Sequence, residues 1–263
     1  ITTEQANAIT GVVASYTTRF PGYQVQRNYN IRLAASALDG RVLLPGERLS
    51  YNRAVGKRTL KQGFRLAPVI IHGKKQLGIG GGICQVSSTL FNAALLSDLK
   101  IVRRANHSIP VDYVPLGRDA TVTDTGIDFV IENPFNEPIA ISTELGRSSL
   151  TIRILGRTQL GRRVVLKTER TPLPAPPEQR VPDPNLPEGK TRVLKKGSAG
   201  FRVILWRELY ENGQLVKRER VANSVYRAMP RVVAVGEKPS PAPAREGITS
   251  PSGEGGNSSL RSE

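Results

Sequence analysis

The chain has 263 residues, with 38 Lys plus Arg, 22 Asp plus Glu and one cysteine, and a formal net charge of +16. Hydrophobic residues at 38% suffice for a buried core, which excludes wholesale disorder, and the unpaired Cys84 excludes a disulfide framework. No stretch reaches the roughly 18 apolar residues of a membrane-spanning helix. The basic surplus is uneven: residues 157–236 hold 17 basic against 7 acidic side chains, residues 1–156 hold 18 against 11, and residues 237–263 hold 3 against 4. Such a surface attracts polyanions (nucleic acid, anionic lipid, the anionic polymers of a bacterial wall) and serves equally as a solubilising coat.

In chain order, residues 31–38 (IRLAASAL) predict a helix with Asn28 or Asn30 as its cap. A turn at 45–47 leads to a short strand over 49–52, and 67–72 (APVIIH) is a β-rich run whose last residue, His72, reads as ordinary surface. A glycine-dense loop over 77–82 feeds a helix from about 84 to 98. Strands are expected at 101–104, 109–114, 120–123, 128–132, 139–143 and 150–155. The fold class is α+β, with the helix that starts at Cys84 packed on a mainly antiparallel sheet. Residues 172–187 hold seven prolines and read as an extended connection without regular structure. Beyond it, Phe201, Val203, Leu205 and Leu215 alternate around Asn212-Gly213, the signature of a tight hairpin, with strands over 215–221 and 231–235. The expected organisation is a first domain over 1–156, a small all-β module over 157–236 and a disordered tail over 237–263.

Chemistry concentrates in Gly80-Gly81-Gly82-Ile83-Cys84-Gln85-Val86-Ser87-Ser88-Thr89-Leu90. Glycines let the backbone approach closely just before a helix, and Leu90, Ala93, Ala94 and Leu96 give that helix an apolar face. Cys84 then lies in the first turn, where free N–H groups and the helix dipole lower a thiol's pKa and can hold an oxyanion. A phosphate cradle is disfavoured, because no Gly-Lys-Ser/Thr follows. A thiolate also wants a base. His107, in Asn106-His107-Ser108 just before an expected strand, supplies an imidazole, and a hairpin through Pro115-Leu116-Gly117 brings Asp119 beside it to fix the tautomer. Asp112 competes for that orienting role, and Asp119 has the simpler alternative of pairing with Arg118. Two readings of Cys84 stand: a nucleophile, or a small buried hydrophobe. Two histidines and one cysteine make a dedicated zinc site improbable, so no metal and no cofactor are expected. At 5% aromatic residues the chain offers few stacking platforms, so nucleic acid is not an expected partner.

GGGICQVSSTLFNAALL, followed by NHSIPVDYVPLGRDATV and DFVIENPFNEPIAI, closely resembles the VanW domain over roughly residues 28–142. LPEGKTRVLKKGSAGFRVILWRELYENGQLVKRERV is similar to the G5 domain. The resemblance implies an exported protein of the bacterial envelope, often membrane-anchored through an N-terminal helix lying outside this chain. It implies an L,D-transpeptidase forming 3-3 peptidoglycan cross-links through a cysteine thioester, with L,D-carboxypeptidase activity when water replaces the acceptor. The alternative is a non-catalytic wall-binding protein with a structural Cys84. Carried over, Cys84 is the nucleophile, His107 the acid and base, and Asp119 the orienting group; Arg118, with Gly81, Gly82, Gln85, Ser87 and Ser88, is expected to bind substrate. Partners implied are stem peptides, glycan strands and anionic wall polymers, the glycans through the G5-like module.

Overall fold

The computed structural model describes residues 2–71 and 74–237. His72 and residues 238–263, most of the expected disordered tail, lie outside the described residues. A short helix α1 (Thr3–Asn7), closed by a capping box between Thr2 and Gln5, leads into β1 (Gly11–Arg19). Next come α2 (Val25–Ser36), β2 (Val42–Leu43), β3 (Arg48–Ser50) and α3 (Tyr51–Val55). A 3-10 turn at Leu60–Gln62 precedes the hairpin of β4 (Leu66–Ile71) and β5 (Lys74–Ile79), and the Gly80–Gly82 turn opens α4 (Ile83–Leu96). The first part closes with β6 (Lys100–Arg103), β7 (Val130–Glu132), β8 (Ile139–Leu145) and β9 (Ser149–Gly156). The second is all strand: β10 (Arg162–Leu173), β11 (Gln179–Asp183), β12 (Thr191–Lys195), β13 (Gly200–Glu211), β14 (Gln214–Tyr226) and β15 (Val232–Gly236).

The architecture is α+β with small, mainly antiparallel sheets. A four-stranded sheet of order β1-β9-β8-β2 carries α4 against β1 and β9, and α2 packs on α4. Sheet β3-β7-β6 and the β4-β5 hairpin flank this layer; β10-β13-β14 and β11-β15-β12 make the second part. β9 shows why one face is inside: Leu150, Ile152 and Ile154 are fully buried and alternate with half-buried neighbours. Each fully buried Leu or Ile contributes roughly 1.5–3 kcal/mol relative to exposure. Leu205 of β13 belongs to the same core, so the hydrophobic interior runs on into the all-β part.

Several expectations change. The second helix starts at Val25 with Gln24 as an N-cap lacking a side-chain bond; Asn28 donates to the Pro21 and Gly22 carbonyls, and Asn30 is buried against Arg65 and Gly81. Residues 109–114 and 120–123 form no strands. Pro110 and Pro115 withhold donors, and the one ladder contact in this stretch is an isolated bridge between Ala105 and Thr121. Residues 179–183 of the proline-rich connection do form a strand, β11, which pairs parallel with β15. It is an edge strand, where a proline such as Pro182 is tolerated. β1 went unpredicted because GVVASYTTR is too rich in small and hydroxyl residues to show clear alternation; pairing with β9 decides it. The Asn212-Gly213 turn forms as expected, with Asn212 at φ 49° and Gly213 at φ 84° between the paired Glu211 and Gln214.

The helix α4 is sheathed on almost every side rather than along one apolar stripe, with every residue from Gln85 to Leu95 buried. Its start depends on two glycines. Gly82, the N-cap, sits at φ 106°, and a Cβ on Gly81 would lie 2.5 Å from the Pro68 carbonyl oxygen. Because backbone cannot yield as a flexible side chain does, Gly81→Ala is expected to destabilise the fold by about 1–3 kcal/mol, measured as a lower midpoint of urea unfolding.

Candidate active site

Cys84 is the second residue of α4 and is half-buried. In the first turn the Ile83 and Gln85 N–H groups donate to the Gly80 and Gly82 carbonyls at 3.2 and 3.0 Å, and the thiol lies at the positive end of the helix dipole, which favours an anion. Its Sγ lies 3.7 Å from Thr121 Oγ1 and 3.5 Å from the Val122 carbonyl oxygen.

The polar residues after Cys84 hold the irregular segment that brings the other groups. Ser87 Oγ donates to the Ala120 carbonyl at 2.6 Å, Ser88 Oγ donates to the Cys84 carbonyl at 2.7 Å and accepts the Ala120 N–H at 2.9 Å. Asn92 Nδ2 donates to the Arg118 carbonyl at 2.7 Å while Asn92 Oδ1 accepts from Arg118 Nε at 2.6 Å. Residues 118–121 lack a strand partner and are bolted instead to one face of α4, which satisfies buried backbone groups that a ladder would otherwise take.

That bolting seats Asp119, 1% exposed, beneath His107. Asp119 Oδ2 accepts His107 Nδ1–H at 2.6 Å and the His107 backbone N–H at 2.7 Å. Asp119 Oδ1 accepts Arg104 Nη2 at 3.1 Å and the hydroxyl of Tyr226. With Nδ1 engaged, Nε2 is the ring nitrogen left to face Cys84, with which His107 interacts electrostatically. Tyr113 stands edge-on to the imidazole, ring centroids 6.4 Å apart.

Charge follows geometry. Burial works against ionisation of Asp119, but its bonds from His107 and the Arg104 charge hold the carboxyl below its usual range. Burial would likewise discharge His107, yet Asp119 and Cys84 raise its pKa from 6.5 to about 9. Burial pushes the Cys84 thiol up, and the hydrogen bond and charge of His107 outweigh it, leaving the thiol below its ordinary value. At neutral pH His107 is held as imidazolium, and its charge favours the thiolate form of Cys84.

The pair opens on a cleft of about 1200 Å³ walled by Arg27, the Gly80–Gly82 turn, Asp112 and Tyr113, with Pro68 and Val69 of the β4-β5 hairpin along one side. Gly81 and Gly82 line it as expected. Gln85 reaches it but is spent: Nε2 donates to Thr18 Oγ1 and the Arg19 carbonyl, and Oε1 accepts Arg27 Nη2 at 2.7 Å. Ser87 and Ser88, fully buried and bonded to the 118–121 segment, do not line the cleft, and neither does Arg118, which is held by Asn92 and lies over the Tyr16 ring. Substrate contact by these three is therefore corrected to loop anchoring. Of the two candidate orienting acids, Asp119 bonds the imidazole while Asp112 is exposed on the cleft wall. The expected hairpin is a single turn, Arg118 N–H to the Pro115 carbonyl. Sequence reasoning missed Arg104, Tyr226 and Arg27; a lone Arg or Tyr carries no local pattern, and Tyr226 lies 107 residues from Asp119. No group of three or more His, Cys, Asp or Glu suited to a metal ion occurs among the described residues.

A helix-borne cysteine, a histidine and a buried aspartate define a Cys-His-Asp constellation on an α+β frame. Residues 26–155 match the family described as VanW like protein, and residues 164–238 match the G5 domain; the chain carries a VanW domain followed by a C-terminal G5 domain. It is 44% identical to YoaR of Bacillus subtilis over 149 residues, 57% of this chain and 49% of that protein. It is 32% identical to the vancomycin B-type resistance protein VanW of Enterococcus faecalis over 116 residues, 42% of each chain. The chain thus spans about half the length of these relatives, or less. Among solved structures, an IgA1 protease G5 domain is 31% identical and covers 30% of this chain and 92% of that one, at a TM-score of 0.24.

The electrostatics predict a pH profile. Alkylation of Cys84 by iodoacetamide is expected to persist at pH 7 and below, where an ordinary thiol of pKa about 8.5 reacts slowly. In His107→Ala only the contacts with Val122 and Thr121 still oppose burial, the midpoint moves upward, and the rate at pH 7 falls by about tenfold or more. The stability linkage has the opposite sense on the alkaline side: because folding raises the His107 pKa, its contribution is complete below pH 6.5 and is lost as pH rises through about 9, a loss absent from His107→Ala in denaturation series.

Proposed function

We propose that this chain is a cysteine L,D-transpeptidase of the bacterial cell wall, joining peptidoglycan stem peptides by 3-3 cross-links. The observation that carries the reading is the placement of Cys84 and His107 together on the wall of one cleft, with Asp119 bonded to the far side of the ring. The vancomycin-resistance name of the enterococcal relative supports a cell-wall setting. This reading puts the protein outside the cytoplasm; among the described residues no helix is long and apolar enough to cross a membrane.

The Cys84 thiolate attacks the carbonyl that follows the L-centre of the donor's diamino acid. The resulting oxyanion meets the backbone N–H of Cys84 at the start of α4. Collapse breaks the bond to the terminal D-residue, whose amine takes the proton of His107, and a thioester remains. An acceptor side-chain amine then attacks the thioester, neutral His107 accepts its proton, and the thiolate departs. Water in place of the amine yields the carboxypeptidase product through the same steps. Asp119 keeps the imidazole in one tautomer and offsets its charge throughout.

Binding of the donor falls to Arg27 in place of Arg118. Gln85 fixes one guanidinium nitrogen, Nη2, while Nη1 is buried without a partner among the described residues, in a side chain that lines the cleft. A buried donor left unpaired is costly, and a carboxylate of the stem peptide satisfies it. The G5 domain, with its basic excess, is read as the contact to glycan strands and anionic wall polymers.

Incubation with purified disaccharide-peptide wall fragments tests the reading, with mass spectrometry following a Cys84 acyl adduct and cross-linked dimers. Wild type should form both and Cys84→Ala neither; dimers persisting in Cys84→Ala would leave only wall binding. Arg27→Ala is expected to raise KM about tenfold or more while kcat changes less, measured on the same fragments.

A further inference from the structure

The strand β14 belongs to the G5 domain, yet its last residues are built into the wall of the VanW domain's site. Ser224 and Tyr226 alternate onto the same face, 0% and 1% exposed. Five bonds tie this stretch and the following Arg227 to the segments that carry His107 and Asp119. Ser224 Oγ accepts Arg104 Nη1 at 2.6 Å, and the Val225 carbonyl accepts Asn106 Nδ2 at 2.9 Å. The Arg227 N–H donates to the Ser108 carbonyl at 2.9 Å. The Tyr226 hydroxyl donates to Asp119 Oδ1 and accepts the Gly117 N–H at 2.7 Å.

We infer that the G5 domain completes the catalytic site, with Tyr226 as the positioning residue that orients Asp119 and, through it, His107. Of the four donors on the Asp119 carboxylate, two come from His107, one from Arg104 and one from Tyr226. The His107 bonds occupy Oδ2, so the rotation of the carboxylate is set by what holds Oδ1. Arg104 is held by the Asp119 and Gly117 carbonyls as well as by Ser224, so Tyr226 is the holder of Oδ1 that β14 itself supplies, and Ser224 adds a lesser support. Between Asp119 and Gly117 the tyrosine hydroxyl also closes the turn that precedes the acid. The seating of β14 is not a loose contact. Arg207 of β13 donates to the Leu99 carbonyl at 2.8 Å and pairs with Asp98, and Leu205 lies in the core beneath α4. Removing or undocking the G5 domain would thus disorganise the acid of the triad as well as any wall-binding surface.

The proposal deepens the reading of Cys84 as a nucleophile and rests on it for turnover; it rests on the Cys84–His107 pair alone for reactivity. The charged and titratable groups around the pair are Arg27, Tyr51 and Tyr113 near Cys84, Asp119 at His107, and Arg104 and Tyr226 at Asp119. The test uses the full chain. Tyr226→Phe keeps the ring and its packing but strips Asp119 Oδ1 and the Gly117 N–H of their partner. Ser224→Ala releases only Arg104. In Tyr226→Phe, kcat on wall fragments should fall about tenfold with KM little changed, since a bond to a charged group is removed from the supporting frame rather than from substrate. The pH midpoint of Cys84 alkylation should rise by roughly half a unit or more, because a misoriented imidazolium holds the thiolate less well. Ser224→Ala should move both in the same direction and less. Alkylation needs no wall substrate, so a shifted midpoint supports the inference even where the transpeptidase reading fails. An unmoved midpoint in folded Tyr226→Phe, whether turnover is retained or falls only in step with Tm, would overturn it.

Discussion

A single buried carboxylate sets the terms for the rest of the site. Asp119 is charged, nearly sealed from water, and surrounded by donors from the His107 segment, from Arg104 and from a strand of the following domain. An isolated carboxylate in that place would take up a proton; four hydrogen bonds, one of them from the Arg104 guanidinium, keep it ionised. Its charge in turn keeps the imidazole protonated, and the imidazolium lowers the pKa of the Cys84 thiol against its burial. Each link in this series works against burial, so the arrangement persists only while all three groups are present and aligned.

The segment that carries Asp119 has no strand of its own to fix it. Its backbone is claimed by Ser87, Ser88 and Asn92 on α4, polar residues inside an otherwise apolar helix environment. These side chains look like a substrate-binding motif when read along the chain, since hydroxyls and amides next to a reactive cysteine are natural ligands. In the fold they point the other way and serve as the substitute for a β-ladder. The helix that presents Cys84 therefore also positions it relative to His107, which ties the pair to the packing of α4 between the β1-β9 sheet and α2.

The two domains share more than a linker. A continuous core through Leu205, the Arg207 bonds to Asp98 and Leu99, and the Ser224–Arg104 contact make the all-β part a structural continuation of the first. A G5 domain read only as an adhesive module leaves these buried polar contacts without a purpose.

The sequence determined the local pieces of this protein. A glycine triplet with positive-φ demands, an apolar run beginning at Cys84 and an Asn-Gly pair between alternating strands each dictate their conformation within a few residues, because sterics and side-chain period act at short range. Cys84, His107 and Asp119 were legible as candidates because their residue types are rare or chemically distinct and fall within one stretch. Tertiary structure alone decided which acid meets the histidine, that Arg118 and the two serines serve the loop rather than the cleft, and that Arg27 faces it. It also decided that residues 109–114 run irregularly and that β11 adds to β15 despite its proline. Those outcomes depend on which buried donors and acceptors find each other across tens to more than a hundred residues, and pairing at that range leaves no periodic trace in the order of amino acids.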